Sequence, residues 1–156
     1  MTRTEREALL RAFQRPIEEI LSCLDSLRGD EIDRKIPEQT GNGVLAIATH
    51  VIANAEENVI ERLGGTEVGR ARAAEFEAKG TTGDPVRDRW NDLLPKIVTV
   101  LTDLPEDGLE REIDHPNRGL ITGREVLLVV VRHSNEHLGE AQVVRDLLIT
   151  EREAKK

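Results

Sequence analysis

Two histidines near the C-terminal end of the chain have the spacing of metal ligands. His133 and His137 lie four residues apart, so on a helix they share one face about one turn from each other. The apolar residues of that segment fall on the same face: Val126, Val130, Ala141, Val144 and Leu148. Both imidazoles should therefore face the core, where an unpaired polar ring costs on the order of a few kcal/mol. The pair is either part of a divalent metal site or a hydrogen-bonded structural pair.

A third imidazole would complete a typical site, because three protein nitrogens leave positions open for water or substrate. The chain has four histidines, and the other two are His50 and His115. His50 lies on a predicted helix and is the better candidate, although it points about 180° from the main apolar ridge, as surface histidines do. His115 lies in a predicted loop and is the second choice for the third ligand.

The segment also matches the inverted zinc-protease pattern of histidine, two residues, glutamate and histidine. Only residues 138–156 follow it, which leaves little room for a downstream ligand helix. Glu136 points roughly 100° away from His137, so we expect it to be a surface charge. Glu140 and Gln142 are also expected at the surface, and a supporting role beside a metal is the less favoured alternative.

Hydrophobic periodicity predicts four long helices that position these residues. The first helix begins at the Thr4–Glu7 capping pair and ends at Gly29, and the second covers residues 43–63 and is ended by Gly64-Gly65. The third runs from Asp84-Pro85 to Leu104, and the fourth from the Thr122–Glu125 capping box to about Thr150. The connections are a polar crossover at 30–42, a loop at 65–83 with a short helix at 70–78, and an extended or hairpin-like stretch at 109–120. The expected fold is an all-α four-helix bundle with a long crossover loop.

Length and charge narrow the class of protein. The 156 residues are expected to form a single domain, residues 1–156, and the net charge of −8 argues against nucleic-acid or anionic-membrane partners. The sequence has no apolar signal segment and no stretch long enough to span a bilayer, so we expect a cytoplasmic protein. Its single cysteine, Cys23, lies among apolar residues and is interpreted as a packing residue.

Several segments resemble the DinB-like metalloenzyme superfamily over nearly the whole chain. They are residues 49–54, Leu63-Gly64-Gly65 with the following Arg70, Glu75 and Phe76, and above all residues 136–142. The resemblance implies an up-down-down-up four-helix bundle with a mononuclear site of His50, His133 and His137, and a cleft that explains the off-ridge position of His50. Members of the family are commonly rich in Trp and Tyr around this cleft, whereas this chain has one Trp and no Tyr, which implies an altered pocket.

The function that the resemblance implies is a metal-dependent enzyme, specifically a thiol-dependent S-transferase. Its cofactors would be Zn²⁺ or Ni²⁺ and a low-molecular-weight thiol, and its partners a small-molecule substrate and a second copy in a homodimer. The carboxylates nearest the site by helical projection are Glu57 and Glu140. The alternative is a metal-binding or stress-related dimeric binding module without turnover, and metal-assisted hydrolysis with the same ligands also stays open.

Overall fold

The computed structural model describes residues 2–36 and 41–156, and four long helices dominate it. They are α1 (Arg3–Asp25), α2 (Val44–Glu56), α4 (Asp84–Asp103) and α5 (Gly123–Ala154). Between them lie the one-turn helix α3 (Arg72–Glu75) and two short strands, β1 (Glu112–His115) and β2 (Gly119–Thr122). The predicted all-α four-helix bundle is confirmed. Part of the predicted crossover, residues 37–40, lies outside the described residues.

The helix starts follow the chemistry of their caps. The side chain of Thr122 accepts a hydrogen bond from the Glu125 amide, and the Glu125 carboxylate accepts one from the Thr122 amide at 2.7 Å, so the predicted capping box is confirmed. The first helix begins two residues earlier than predicted, because Thr2 rather than Thr4 caps it and accepts from the Glu5 amide. The last helix continues to Ala154, four residues beyond the predicted end.

The second helix changes its pitch after Glu56. Residues Glu57–Leu63 form a π-helical segment that continues α2 and ends at Gly64, as predicted from the two glycines. Gly65 adopts a φ of +75°, which is the left-handed conformation that glycine takes without a steric penalty at a helix end. Because each π turn holds extra residues, side chains after Glu56 are rotated relative to an ideal α-helix. Glu57 and Asn58, at the start of this segment, border the site described below.

Helix α2 lies at the centre of the bundle. It packs against α1, α4 and α5, and the short helix α3 covers one of its remaining sides. Ten of its thirteen residues are buried, including His50. The core around it is aliphatic, with Phe13 and Trp90 as its buried aromatic residues. Among the described residues, no helix combines the length and apolar character needed to cross a bilayer.

The stretch predicted to be extended forms an antiparallel hairpin between α4 and α5. Ile113 pairs with Ile121, and His115 pairs with Gly119 at the turn. Gly119 has a φ of +69°, which only glycine adopts readily and which lets the chain reverse after Arg118. The hairpin contacts both the π segment and α5, so it is held against the end of the bundle where the histidines lie.

Two glycines of α5 should respond oppositely to alanine. A Cβ at Gly139 would meet no atom within 4 Å, so Gly139→Ala should raise the free energy of unfolding by about 0.5–1 kcal/mol through reduced backbone entropy of the unfolded chain. A Cβ at Gly123 would lie 2.7 Å from the Gly108 carbonyl oxygen, so Gly123→Ala should lower the free energy of unfolding by about 1–3 kcal/mol. Urea unfolding of both variants and the parent chain provides the measurement. Equal effects of the two substitutions would contradict this account of the packing around α5.

Candidate metal centre

Three imidazole rings meet at one end of the bundle, one from α2 and two from consecutive turns of α5. One ring nitrogen from each of His50, His133 and His137 lies within 4.8 Å of the other two. The Nε2 atoms of His50 and His133 are 3.0 Å apart, and the ring centroids of His133 and His137 are 4.4 Å apart. Two nitrogens bound tetrahedrally to one zinc ion lie about 3.3 Å apart. The three predicted residues therefore converge at a separation suited to a single ion.

His50 is buried, although its helix alone suggested a surface position. Its residue exposure is 2%, and its ring contacts Phe76 at a centroid distance of 4.7 Å. The helical-wheel expectation was wrong because α2 is enclosed by three long helices and α3, so the side opposite its main ridge is buried as well. The cleft expected for this residue is the space between α2 and α5.

A buried carboxylate from α3 holds the ring of His50. Glu75 Oε2 lies 2.7 Å from Nδ1 of His50, and the exposures of the two side chains are only 6% and 3%. In the neutral ring, Nδ1–H donates to this carboxylate, which leaves the lone pair of Nε2 directed at the other two histidines. Metal-binding histidines are typically oriented by such a carboxylate on the far nitrogen. Glu75 therefore fixes both the tautomer and the direction of His50.

His137 is held in the same way within α5. Its Nδ1 lies 2.7 Å from Oε2 of Glu140, one turn further along the helix. The sequence favoured a surface position for Glu140, and its side chain is indeed 42% exposed, but it also orients the imidazole. Two of the three rings thus have a carboxylate on Nδ1, so that Nε2 is the nitrogen each would offer to an ion.

An ion-pair network surrounds Glu75 behind the histidines. Arg70 donates to both oxygens of Glu75, at 2.6 and 2.8 Å, and to Glu57 at 2.6 Å. Glu57 accepts a further hydrogen bond from Arg62 at 2.6 Å. Burial raises the pKa of both carboxyls, but the hydrogen bonds from the arginines outweigh it and hold each pKa below its ordinary value. Both carboxylates are therefore ionised at neutral pH.

His50 and His133 are kept neutral by their surroundings. Burial, together with the neighbouring His137 and His50, lowers the pKa of His133 to about 3. Burial also lowers the pKa of His50, against the opposing effect of Glu75. Neutral imidazole is the form that binds a metal ion, so no proton has to be released from these two rings. The donor set of three imidazole nitrogens with outer carboxylates fits a borderline divalent ion such as Zn²⁺ or Ni²⁺.

The fourth histidine does not join the cluster. His115 ends β1, is 7% exposed and accepts a hydrogen bond at Nδ1 from the Asn117 amide at 3.3 Å. It nevertheless lines the same pocket as His50 and His133, so it is a residue of the pocket wall rather than a ligand. The structure therefore does not support His115 as the second choice for the third ligand.

The remaining sequence candidates behave as expected. Glu136 is 53% exposed and pairs with Arg132 on the preceding turn. It therefore faces solvent as a surface charge, and the structure does not support the protease pattern. Cys23 is buried in the core, where burial raises the pKa of its thiol, and its sulfur accepts a hydrogen bond from Arg145 at 3.4 Å. It is a packing residue of α1.

The sequence did not assign the residue that orients His50. Glu75 is 25 residues away in sequence, in a segment predicted to be largely loop, and no spacing rule connects the two. The only available signal was that Glu75 belongs to the segments that resemble the DinB-like family. Glu140, by contrast, lies three residues after His137, which is a spacing that brings side chains together on a helix.

These features define a class of protein, a helical bundle with a candidate three-histidine metal centre between α2 and α5. Residues 35–141 match the DinB superfamily, and the chain belongs to that family. A search of the curated proteins gave no match.

Solved structures with the same fold are distant in sequence. YfiT from Bacillus subtilis, described as a probable metal-dependent hydrolase with an unusual four-helix bundle topology, is 16% identical with a TM-score of 0.72, over 95% of this chain and 90% of that one. A DinB-like protein from Bacillus cereus is 18% identical with a TM-score of 0.68, over 90% and 91%. A conserved protein from Enterococcus faecalis is 16% identical with a TM-score of 0.66, over 96% and 99%. These likenesses establish the fold.

Removing the carboxylate that orients His50 should weaken metal binding without unfolding the protein. Glu75→Gln keeps the size of the side chain but loses the charge that stabilises the Nδ1–H tautomer, so we expect about 10–100-fold weaker binding of Zn²⁺. Glu77→Gln is the matched control, because Glu77 is two residues away and its side chain is 77% exposed. Competition with a chromophoric chelator measures both affinities. Unchanged affinity in Glu75→Gln would contradict the orienting role.

The stability of the metal-free protein should depend on pH through His133. Its pKa is about 3 in the folded chain and about 6.5 when unfolded, so between these values the unfolded chain binds more protons. The contribution of His133 to the free energy of unfolding is therefore fully present above about pH 6.5 and is lost progressively as the pH falls toward 3. Urea unfolding of chelator-treated protein between pH 7 and 5 should show this loss, and His133→Asn should make it shallower. The same slope in both proteins would assign the pH dependence to other groups.

Proposed function

We propose that the chain is a metal-dependent enzyme whose divalent ion, Zn²⁺ or Ni²⁺, is held by His50, His133 and His137. We further propose that it transfers the sulfur of a low-molecular-weight thiol to a small electrophilic substrate. The observation that supports this proposal most strongly is the convergence of three imidazole nitrogens within 4.8 Å of one another, beside a pocket of about 580 Å³ that contacts two of the rings. A buried structural cluster would not need an adjoining pocket.

In this proposal the chain's own residues hold and orient the imidazoles that would bind the ion. Glu75 and Glu140 hold two of the imidazoles, and Phe76 covers the face of His50. When bound, a divalent ion would lower the pKa of a coordinated thiol and so make a thiolate available near neutral pH. In the overall reaction the sulfur forms a bond to an electrophilic carbon, the leaving group departs with its electron pair, and the thiol proton passes to solvent.

The carboxylates around the site favour a thiol over water as the nucleophile. In the described parts of the chain, Glu75 and Glu140 are engaged by imidazole nitrogens, and Glu57 is engaged by two arginines. None of the three is available as a general base for water. A thiol is acidic enough to need no such base once its pKa is lowered. Metal-dependent hydrolysis is the second candidate, because YfiT is described as a probable metal-dependent hydrolase and the same three ligands would serve it.

A third possibility is a metal-binding or stress-related dimeric module without turnover. It shares the histidine centre with the enzyme proposals and differs from them only in lacking chemistry. The homodimer and the small-molecule substrate stay predictions for all of these functions. Metal content and thiol dependence separate them.

The first experiment is elemental analysis of protein purified without a histidine tag or chelator. We expect about one Zn²⁺ or Ni²⁺ per chain in the parent protein, and little or none in the His50→Ala/His137→Ala double variant, with the far-UV helical signal retained. Asn135→Ala is the matched control, because Asn135 is an exposed residue between the two α5 ligands and its amide nitrogen donates to the Val131 carbonyl of its own helix. Full metal in the double variant would contradict the site.

The second experiment tests the chemistry on metal-loaded protein. Consumption of 1-chloro-2,4-dinitrobenzene should require both the metal and a thiol, supplied from a panel of cysteine, glutathione, mycothiol and bacillithiol. The double variant should lose most of the rate above the uncatalysed background. Equal metal-dependent rates with and without thiol would point to hydrolysis, and bound metal without turnover on thiol or ester substrates would favour the binding module.

A further inference from the structure

The pocket beside the histidine cluster has an unusual lining for a small acidic protein. Its wall is formed by α2 with its π segment, the chain around Arg70 and α3, the hairpin turn and α5. Five of its lining residues are arginines and one is a carboxylate, Glu57, whereas the whole chain carries a net charge of −8. A concave site of one charge sign concentrates ligands of the opposite sign. The arginines are Arg62, Arg70, Arg72, Arg118 and Arg132.

Not all of these arginines are neutralised by the protein. Arg62 and Arg70 are bound to Glu57, and Arg132 pairs with Glu136 at 3.1 Å. Within residues 2–36 and 41–156, neither Arg72 nor Arg118 has a carboxylate partner. Two guanidinium groups therefore remain available at the pocket.

Both available arginines are tied to elements that border the histidine cluster. The guanidinium carbon of Arg72 lies 5.8 Å from the ring centroid of Phe76, and Phe76 in turn packs against His50. Arg118 belongs to the hairpin turn, where its amide donates to the His115 carbonyl at 3.0 Å. The ring of Phe76 positions the guanidinium of Arg72, and the turn places the backbone of Arg118 on another wall of the same pocket. Both arginine side chains are solvent-exposed and so accessible to a ligand.

His115 adds a neutral donor to this lining. Because its Nδ1 accepts a hydrogen bond from the Asn117 amide, the neutral ring carries its proton on Nε2. Burial, with Arg62 and Arg118 nearby, lowers the pKa of His115, so the ring is uncharged at neutral pH. Apart from Pro116 and Val129, every residue that lines the pocket has a polar or charged side chain. The pocket is thus built for polar rather than apolar ligands.

We propose that the substrate of the histidine centre carries an oxyanion, a carboxylate or a phosphate, which is bound by Arg72 and Arg118. This inference rests on the proposed function, because it names the substrate class of the same site. Arginine is suited to the task because its planar guanidinium forms paired hydrogen bonds with either oxyanion. Binding of the anion at these residues would place the rest of the substrate against His50 and His133.

The test is calorimetric titration of the metal-loaded protein with succinate, inorganic phosphate and uncharged succinamide. Succinate or phosphate should bind at least about tenfold more tightly than succinamide, and the tighter of the two identifies the class of oxyanion. Arg72→Gln and Arg118→Gln should each weaken that binding about 10–100-fold, the range for a charge-assisted hydrogen bond. Arg11→Gln on the exposed surface of α1 is the matched control and should bind as the parent does.

Further measurements separate this proposal from the proposed metal centre. Elemental analysis of each arginine variant should show the parent's metal content, so that a loss of anion binding is not a loss of metal. In His137→Ala, some oxyanion binding should persist and should still depend on Arg118. Binding that is insensitive to both arginines, or that disappears with the metal, would overturn the proposal. A protein without bound metal that still binds succinate through the arginines would instead refute the metal centre alone.

Discussion

The hydrogen bond between Glu75 and His50 is the contact on which the site depends. It joins a residue of the chain between α2 and α4 to a ring on the central helix α2, with a separation of 2.7 Å and almost no solvent access on either side. A buried imidazole and a buried carboxylate would each be costly alone, and each satisfies the other. The contact therefore explains why this connection folds back over α2. It also explains why His50 points between the helices.

The arginines behind this contact have a positional role more than a stabilising one. Arg70 bridges Glu75 and Glu57, and Arg62 holds Glu57 from the other side, with all four side chains largely buried. Burying charges costs hydration free energy that the ion pairs only partly recover, so such a network contributes little net stability. The network instead fixes the orientation of the Glu75 carboxylate, because the bidentate contact with Arg70 leaves it one direction in which to accept a hydrogen bond from His50.

The fold was largely predictable from sequence because long amphipathic helices carry a strong periodic signal. The Thr122 capping box, the glycines after Leu63 and the His133–His137 pair were all local patterns, and each is present. The burial of His50 could not be found locally, because it depends on how many neighbours surround α2. Glu75 was likewise out of reach, since its partner is brought to it only by the tertiary fold. The π-helical pitch after Glu56 has no sequence signal that we can identify.

The electrostatics of the pocket connect the metal centre to the substrate it would accept. Three imidazole ligands would leave a divalent ion with its full charge, and the carboxylates of Glu75 and Glu140 would compensate it in part through the rings they orient. Arg70 acts against this compensation: burial is the main reason that the pKa values of His50 and His133 are lowered, and the charge of Arg70 lowers both further. The positive charge of Arg70, which helps to keep these rings unprotonated, thus also disfavours an added cation. An anionic ligand of the kind proposed above would relieve that conflict, because the ion and the arginines would attract it together.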